Sequence, residues 1–185
     1  MKDRSLVQIA LYAALFAVLG LIPRIDVPIA AGVPITAQSL GAMLAGVMLG
    51  ARRGALAVLL FLFVVALGAP LLAGGRGGLG AFFSPTAGFL AGWVAGAFVA
   101  GWIMQSLRAM PVFASAIIAA VVGGILVVYT LGIAGMVLKT GMSPLAALST
   151  MLVFIPGDLI KAVLAALVAQ TVARGLPEAL LSRQA

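Results

Sequence analysis

In the run Phe154-Ile155-Pro156-Gly157-Asp158-Leu159-Ile160-Lys161, an acid and a base stand three residues apart inside an otherwise apolar stretch. On a helix that spacing puts both side chains on one face, close enough to pair. Burying such charges away from water costs several kcal/mol unless they pair or meet polar partners. An ion pair inside a membrane helix is therefore a candidate for ligand binding or ion transfer, set against the plainer role of fixing helix packing.

A second group is the loop Ala73-Gly74-Gly75-Arg76-Gly77-Gly78-Leu79-Gly80. Successive glycines expose backbone N–H groups, and Arg76 adds a cation. No strand-like run precedes the loop and no Lys-Ser/Thr follows it, so it is not a nucleotide motif. It reads as a compact loop in which Gly75 and Gly77 let a ligand approach backbone while Arg76 meets an anionic group. Ser84-Pro85-Thr86 next to it reads as a helix start, with Ser84 as cap and Pro85 at the first position. That helix would aim its positive end at the same region. Of the aromatics, Phe82 and Phe83 are the ones placed to touch a ligand; Phe89, Trp93 and Trp102 read as core or lipid-facing. Gln38 and Ser39 are polar near the start of a span and either line a pocket or satisfy backbone.

Composition narrows the chemistry. With 64% hydrophobic and 8% charged residues in 185 and a mean hydropathy of +1.29, the chain is a polytopic membrane protein, not a soluble domain. The net charge of +7 is not concentrated in any basic stripe, which argues against nucleic acid as a partner. Cysteine and histidine are absent. Disulfides, thiolate or imidazole metal sites and His-dependent catalysis are excluded with them. The acids Asp3, Asp26, Asp158 and Glu178 are too scattered for a carboxylate metal site or a glycosidase pair. The expected protein is not an enzyme and carries no cofactor.

The elements that must position these residues follow from the charge-free runs, since a span needs about 20 apolar residues. Six are expected, near 6–21, 36–50, 55–72, 84–107, 112–138 and 144–174, in one membrane domain covering 1–185. Arg52-Arg53-Gly54 turns the chain between the second and third, and a Pro-rich connection, 24–34, follows the first. The sixth is interrupted at Pro156-Gly157, as either a kink or the start of the spanning part. The charged amino terminus runs into further spans and reads as a retained first helix. Lys2, Arg4, Arg52, Arg53, Arg108, Arg174 and Arg183 fall on the side of both termini, against Arg24, Arg76 and Lys139 opposite. Both termini are therefore expected in the cytoplasm. Small residues four apart recur, as in Ala10-x3-Ala14, Ala13-x3-Ala17 and Gly88-x3-Gly92-x3-Gly96, and let helices approach closely in lipid.

Taken together, Pro34-Ile35-Thr36-Ala37-Gln38, the 74–80 loop, Ser84-Pro85-Thr86-Ala87-Gly88-Phe89 and Pro156-Gly157-Asp158-Leu159-Ile160-Lys161 resemble the BioY family, the biotin-binding S components of energy-coupling-factor (ECF) vitamin transporters. The resemblance covers nearly the whole chain in length, helix count and motif order. It implies an all-α fold of six transmembrane helices in the bacterial cytoplasmic membrane and a biotin pocket on the outer side. It also implies docking of the first helix onto a transmembrane partner (T) subunit, driven by two ATPases, through the face carrying Ala10, Ala13, Ala14 and Ala17. The substrate-binding role carries over to Asp158, Lys161 and Arg76, with Gly75, Gly77, Phe82, Thr86 and Gln38 as further candidates. Ala87 departs from the family pattern, which has a second glycine there. In the implied mechanism Asp158 accepts a ureido N–H, Lys161 neutralises it, Arg76 attracts the valerate carboxylate, and the thiophane ring packs on Phe82 or Phe83. An ion-coupled secondary carrier and an S component for another vitamin are the alternatives.

Overall fold

Where water is absent, backbone N–H and C=O groups must satisfy one another, and helices do this within a single segment. The computed structural model describes residues 2–26 and 33–184, without the side chains of 2–4, and the chain is mostly helical. The helices are α1 (Lys2–Leu19), α2 (Gln38–Leu49), α3 (Ala51–Ala66), α4 (Ala87–Ser106), α5 (Val112–Val121), α6 (Val128–Thr140), α7 (Pro144–Met151) and α8 (Ile155–Gly175). Among the described residues three rods are long and apolar enough to cross a membrane: α4, the continuous Val112–Thr140 rod and α8. A short ribbon, β1 (Ile25–Asp26) paired antiparallel with β2 (Pro34–Ile35), and an isolated bridge between Leu72 and Arg76 are the departures from an all-α reading among the described residues. The ribbon borders the Pro-rich connection, whose middle, 27–32, lies outside the described residues.

Several boundaries differ from those expected. The chain turns at Gly50 alone, where φ is +84°, and Arg52, Arg53 and Gly54 already lie inside α3. A glycine in the left-handed region makes the reversal without a Cβ penalty, so the arginines are free to start the next helix. The α3 helix ends at Ala66, ahead of Gly68 with φ +111° and Pro70. Ser84 does not cap α4. A 3-10 turn, Leu79–Phe83, comes first, the Ser84 hydroxyl donates to the Ala81 carbonyl at 2.7 Å, and α4 begins after Thr86. Ser143 does cap α7, accepting from the Ala146 N–H at 3.2 Å. The expected sixth span is two helices: Pro156 sits in the first turn of α8, where its missing N–H leaves no bond unmade.

Small residues decide how the rods pack. On α4, Gly88 lies so close to Gly135 that a Cβ would stand 2.9 Å from the Gly135 Cα, and one on Gly92 would stand 3.0 Å from the Val128 Cα. At the far end a Cβ on Gly101 would stand 2.6 Å from the Ala51 Cα, so α3 and α4 cross there backbone to backbone. Thus α4 is central, packed against α2, α3 and α6. The Val112–Thr140 rod winds as a π-helix over Val122–Val127, where Gly123 and Gly124 face α4 and the Met43 side chain of α2. Phe16 of α1 stacks on Phe61 at 4.5 Å and tilts against Trp93 at 5.1 Å, joining α1, α3 and α4. The carboxyl-terminal segment folds back on the bundle. Leu180 and Ser182 are buried, and Arg183 donates to the Leu107 carbonyl at 3.0 Å and to the Ser115 hydroxyl. Burial first, and Arg108 second, hold the Arg183 pKa below its usual value.

Candidate binding site

The first two turns of α8 present Asp158 and Lys161 on one face, directed at the start of α2. Their charged atoms are 2.8 Å apart, with the side chains 8% and 15% exposed. Three helices complete the network. Lys161 Nζ donates to the Thr36 carbonyl at 2.7 Å, to Ser39 Oγ at 2.8 Å and to Asp158 Oδ1. The Asp158 carboxylate also accepts from Ser39 Oγ at 3.2 Å and from the Tyr129 hydroxyl of α6 at 2.7 Å. All three ammonium N–H groups are used, and each carboxylate oxygen has a donor. A pair buried this deeply is sustained only when such additional bonds satisfy both members.

Beside this network lies a cavity whose empty volume, mouth included, is about 620 Å3. Its polar end is Asp158, Lys161, Ser39, Thr36 and Tyr129, and Arg76 and Thr86 stand elsewhere on its wall. Between them the lining is apolar: Val33, Phe89, Leu90, Trp93, Val128, Met151 and Phe154 among others. Arg76 is carried by a short reversal. Leu72 and Arg76 exchange both backbone bonds across Gly74 and Gly75, whose φ values are +80° and +71°. Its Nε is buried without a partner among the described residues. Burial foremost, then the neighbouring Arg24, push the Arg76 pKa down, while Asp26 opposes them.

Of the residues singled out from sequence, the structure brings Asp158, Lys161, Arg76, Thr86 and Gln38 to the cavity. Gln38 stands there in a different capacity. Its amide donates to the Leu71 carbonyl at 3.0 Å and the Phe16 carbonyl at 3.3 Å, and its oxygen accepts from the Ala73 N–H at 2.8 Å. Gln38, 1% exposed, ties α1 and the 71–73 backbone to α2. Gly75, Gly77 and Phe82 do not line the cavity. Gly75 makes the turn with its Cα facing open space, and Gly77 packs on the Ala69 carbonyl. Phe82 packs on the α1–α3–α4 core and borders an outer groove, while Phe83 is exposed beneath Lys139 Nζ at 5.8 Å. The alanine stripe of α1 divides: Ala10 and Ala14 are exposed, Ala13 is buried and Ala17 is half-buried.

Tyr129, Phe89, Trp93, Met151 and Phe154 were not read from sequence as site residues. An apolar or aromatic residue facing a cavity has the same sequence neighbourhood as one facing lipid. Tyr129 alone carried a signal, a phenol in an apolar helix that needs a partner when buried.

The architecture is that of a multi-pass helical membrane protein built around an internal cavity with a buried ion pair at one end. The BioY family model matches residues 1–178, and the chain belongs to the BioY family. It is 53% identical to a biotin transporter BioY of Rhodobacter capsulatus over 98% of this chain and 99% of that protein. It is 50% identical to a biotin transporter BioY of Rhizobium etli over 96% and 97%. A crystal structure of the S-component for biotin from an ECF-type ABC transporter superposes with a TM-score of 0.87 at 30% identity, covering 97% of this chain and 96% of that one.

Gln38→Met keeps the volume and removes the amide. It leaves the Ala73 N–H and the Leu71 and Phe16 carbonyls unmet, each costing about 1–3 kcal/mol. The purified variant is expected to unfold at a lower temperature and to gain a protease cut within 71–78 that the wild type resists. An unchanged melting curve and digest would show that this tie does not hold the loop.

Proposed function

We propose that the cavity binds biotin, and that the chain is the substrate-binding S subunit through which an ECF-type transporter takes biotin up. The observation that carries this reading is the coincidence of the family match with a cavity whose polar groups are a shielded carboxylate at one end and a guanidinium elsewhere on the wall. A ureido ring offers two N–H donors and one acceptor. The Asp158 carboxylate accepts an N–H, while Lys161, its own donors already engaged, neutralises and orients Asp158. Tyr129 and Ser39 hold the same carboxylate in place. Arg76, with a buried N–H to spare, takes the valerate carboxylate, and the bicyclic ring lies against Trp93, Phe89 and their apolar neighbours. Thr86 adds a hydroxyl on the same wall.

The whole chain, 1–185, is read as one domain with six membrane crossings, α5 to α6 counting as one and α7 with α8 as another. Both termini face the cytoplasm of a bacterial inner membrane, so the cavity opens outward. The T subunit docks on α1, where Ala10 and Ala14 lie in an exposed face with Leu6, Val7, Leu11 and Val18. Ala13 and Ala17 contribute by letting α1 sit close to the bundle. Two ATPases act on that partner.

Retention of radiolabelled biotin by purified protein tests the site. Stripping Lys161 to alanine leaves a buried carboxylate unpaired, which costs the folded protein about 3–5 kcal/mol, and biotin binding is expected to be lost with the ordered pair. Asp158→Asn is expected to lose binding too, whereas Phe82→Ala retains it. Wild-type affinity in an Asp158→Asn, Lys161→Ala double variant would end the assignment, and a competition panel of other vitamins would expose a different ligand. For docking, Ala10→Arg with Ala14→Arg is expected to abolish co-purification with the T subunit and leave biotin binding in detergent intact. If the partner still co-purifies, α1 is not the docking face. For topology, the absence of cysteine allows single probes: Lys139→Cys should react with an impermeant maleimide on intact cells, and Gln184→Cys only after permeabilisation. The reverse pattern would invert the orientation.

A further inference from the structure

Away from the cavity, α3 and α4 flank a groove on the outside of the bundle with an empty volume of about 1200 Å3. Its lining side chains are all hydrocarbon: Ala55, Leu59 and Leu62 from α3, and Ala91, Ala95 and Phe98 from α4, among others. We propose that this groove holds one acyl chain of an anionic phospholipid, with the lipid phosphate on Arg52.

Three observations converge on that occupant. The first is alignment. Arg52, exposed, precedes the groove residues Ala55, Leu59 and Leu62 of α3 at the i, i+3, i+7, i+10 spacing of one helix face, so the guanidinium starts from the end of the groove. The second is depth. Gly101 of α4 crosses Ala51 of α3 backbone to backbone, so Trp102, 59% exposed, lies level with Arg52 at the end of the bundle opposite the cavity. A tryptophan and an arginine at one level where helices begin and end mark the headgroup layer. The third is length. On α4 the lining runs from Ala87 to Val99, roughly 18 Å at the helical rise, a little more than half of a hydrocarbon core of about 30 Å. One leaflet's chain fits that span.

A second copy of this chain fits less well. Two copies meeting in one membrane about an axis along its normal place the same residue at the same depth on both sides. Two Arg52 guanidinium groups would then lie at one depth in the same interface, like charges with no anion between them. A phosphate in the same place is attracted instead.

Native mass spectrometry of the full-length protein in detergent, with phosphatidylglycerol or phosphatidylcholine added, measures occupancy. The wild type is expected to retain one phosphatidylglycerol, preferred over phosphatidylcholine by about fivefold, as one arginine at a lipid surface supplies. Arg52→Gln is expected to lose the preference, and Ala95→Trp, which fills the groove, to lose both lipids. Glycerol phosphate, a headgroup without a chain, should not compete. The unfolding temperature of each lipid-free variant reports folding, and Ala91→Trp replaces Ala95→Trp if that variant is unstable. Equal lipid retention by wild type and variants, competition by glycerol phosphate, or a lipid-free dimer that the tryptophan breaks would each overturn the proposal.

Discussion

An ammonium and a carboxylate held together out of water constrain the whole cavity end of this molecule. Lys161 has three N–H groups, and leaving one unmet in a buried site costs more than an ordinary hydrogen bond gains. Its donors go to Asp158, to the Ser39 hydroxyl and to the Thr36 carbonyl. The amino-terminal two turns of α8 must therefore meet the start of α2, at a distance set by hydrogen bonds rather than by side-chain volume. Tyr129 adds α6 to the same carboxylate. Three rods are thus fixed at one point, and the apolar cavity is the space left beside it.

A second polar tie acts on the other wall. Gln38, one residue before Ser39, spends its amide on backbone groups of α1 and of the segment after α3. Neighbouring residues of one helix turn thereby serve opposite ends of the site: Ser39 supports the ion pair, and Gln38 supports the loop that brings in Arg76. The reversal there needs positive φ at Gly74 and Gly75, so the glycines shape the arm rather than touch what it holds. Close packing of α4 through Gly88, Gly92 and Gly101 gives these ties a rigid centre.

The two ends of the bundle differ in kind. At the cavity end, polar side chains converge from separate helices. At the opposite end, arginines and the returning carboxyl-terminal segment gather around helix termini, with Arg183 bonded to the carbonyl left free where α4 ends. Carbonyls at a helix end lack intrahelical partners, and a guanidinium satisfies them well. The same division separates a site built for a small molecule from a surface built for the membrane boundary.

Membrane residence, the helical class and the Asp158–Lys161 pair were all legible in the residues themselves. Each depends on composition or on i, i+3 spacing, which no tertiary contact can alter. Family membership was legible too, because four motifs in order survive as a pattern. What only the tertiary structure decided is who meets whom. Tyr129 and Asp158 are joined across helices, Gln38 bonds backbone of α1 and of the segment after α3, and Phe82 packs on the α1–α3–α4 core although it adjoins the glycine loop. Spacing along the chain carries no information about such partners, since an apolar helix in lipid has no polar face to betray its inner side. The turn at Gly50 and the late start of α4 likewise depended on which backbone positions could be approached, and that is settled by the neighbouring rod.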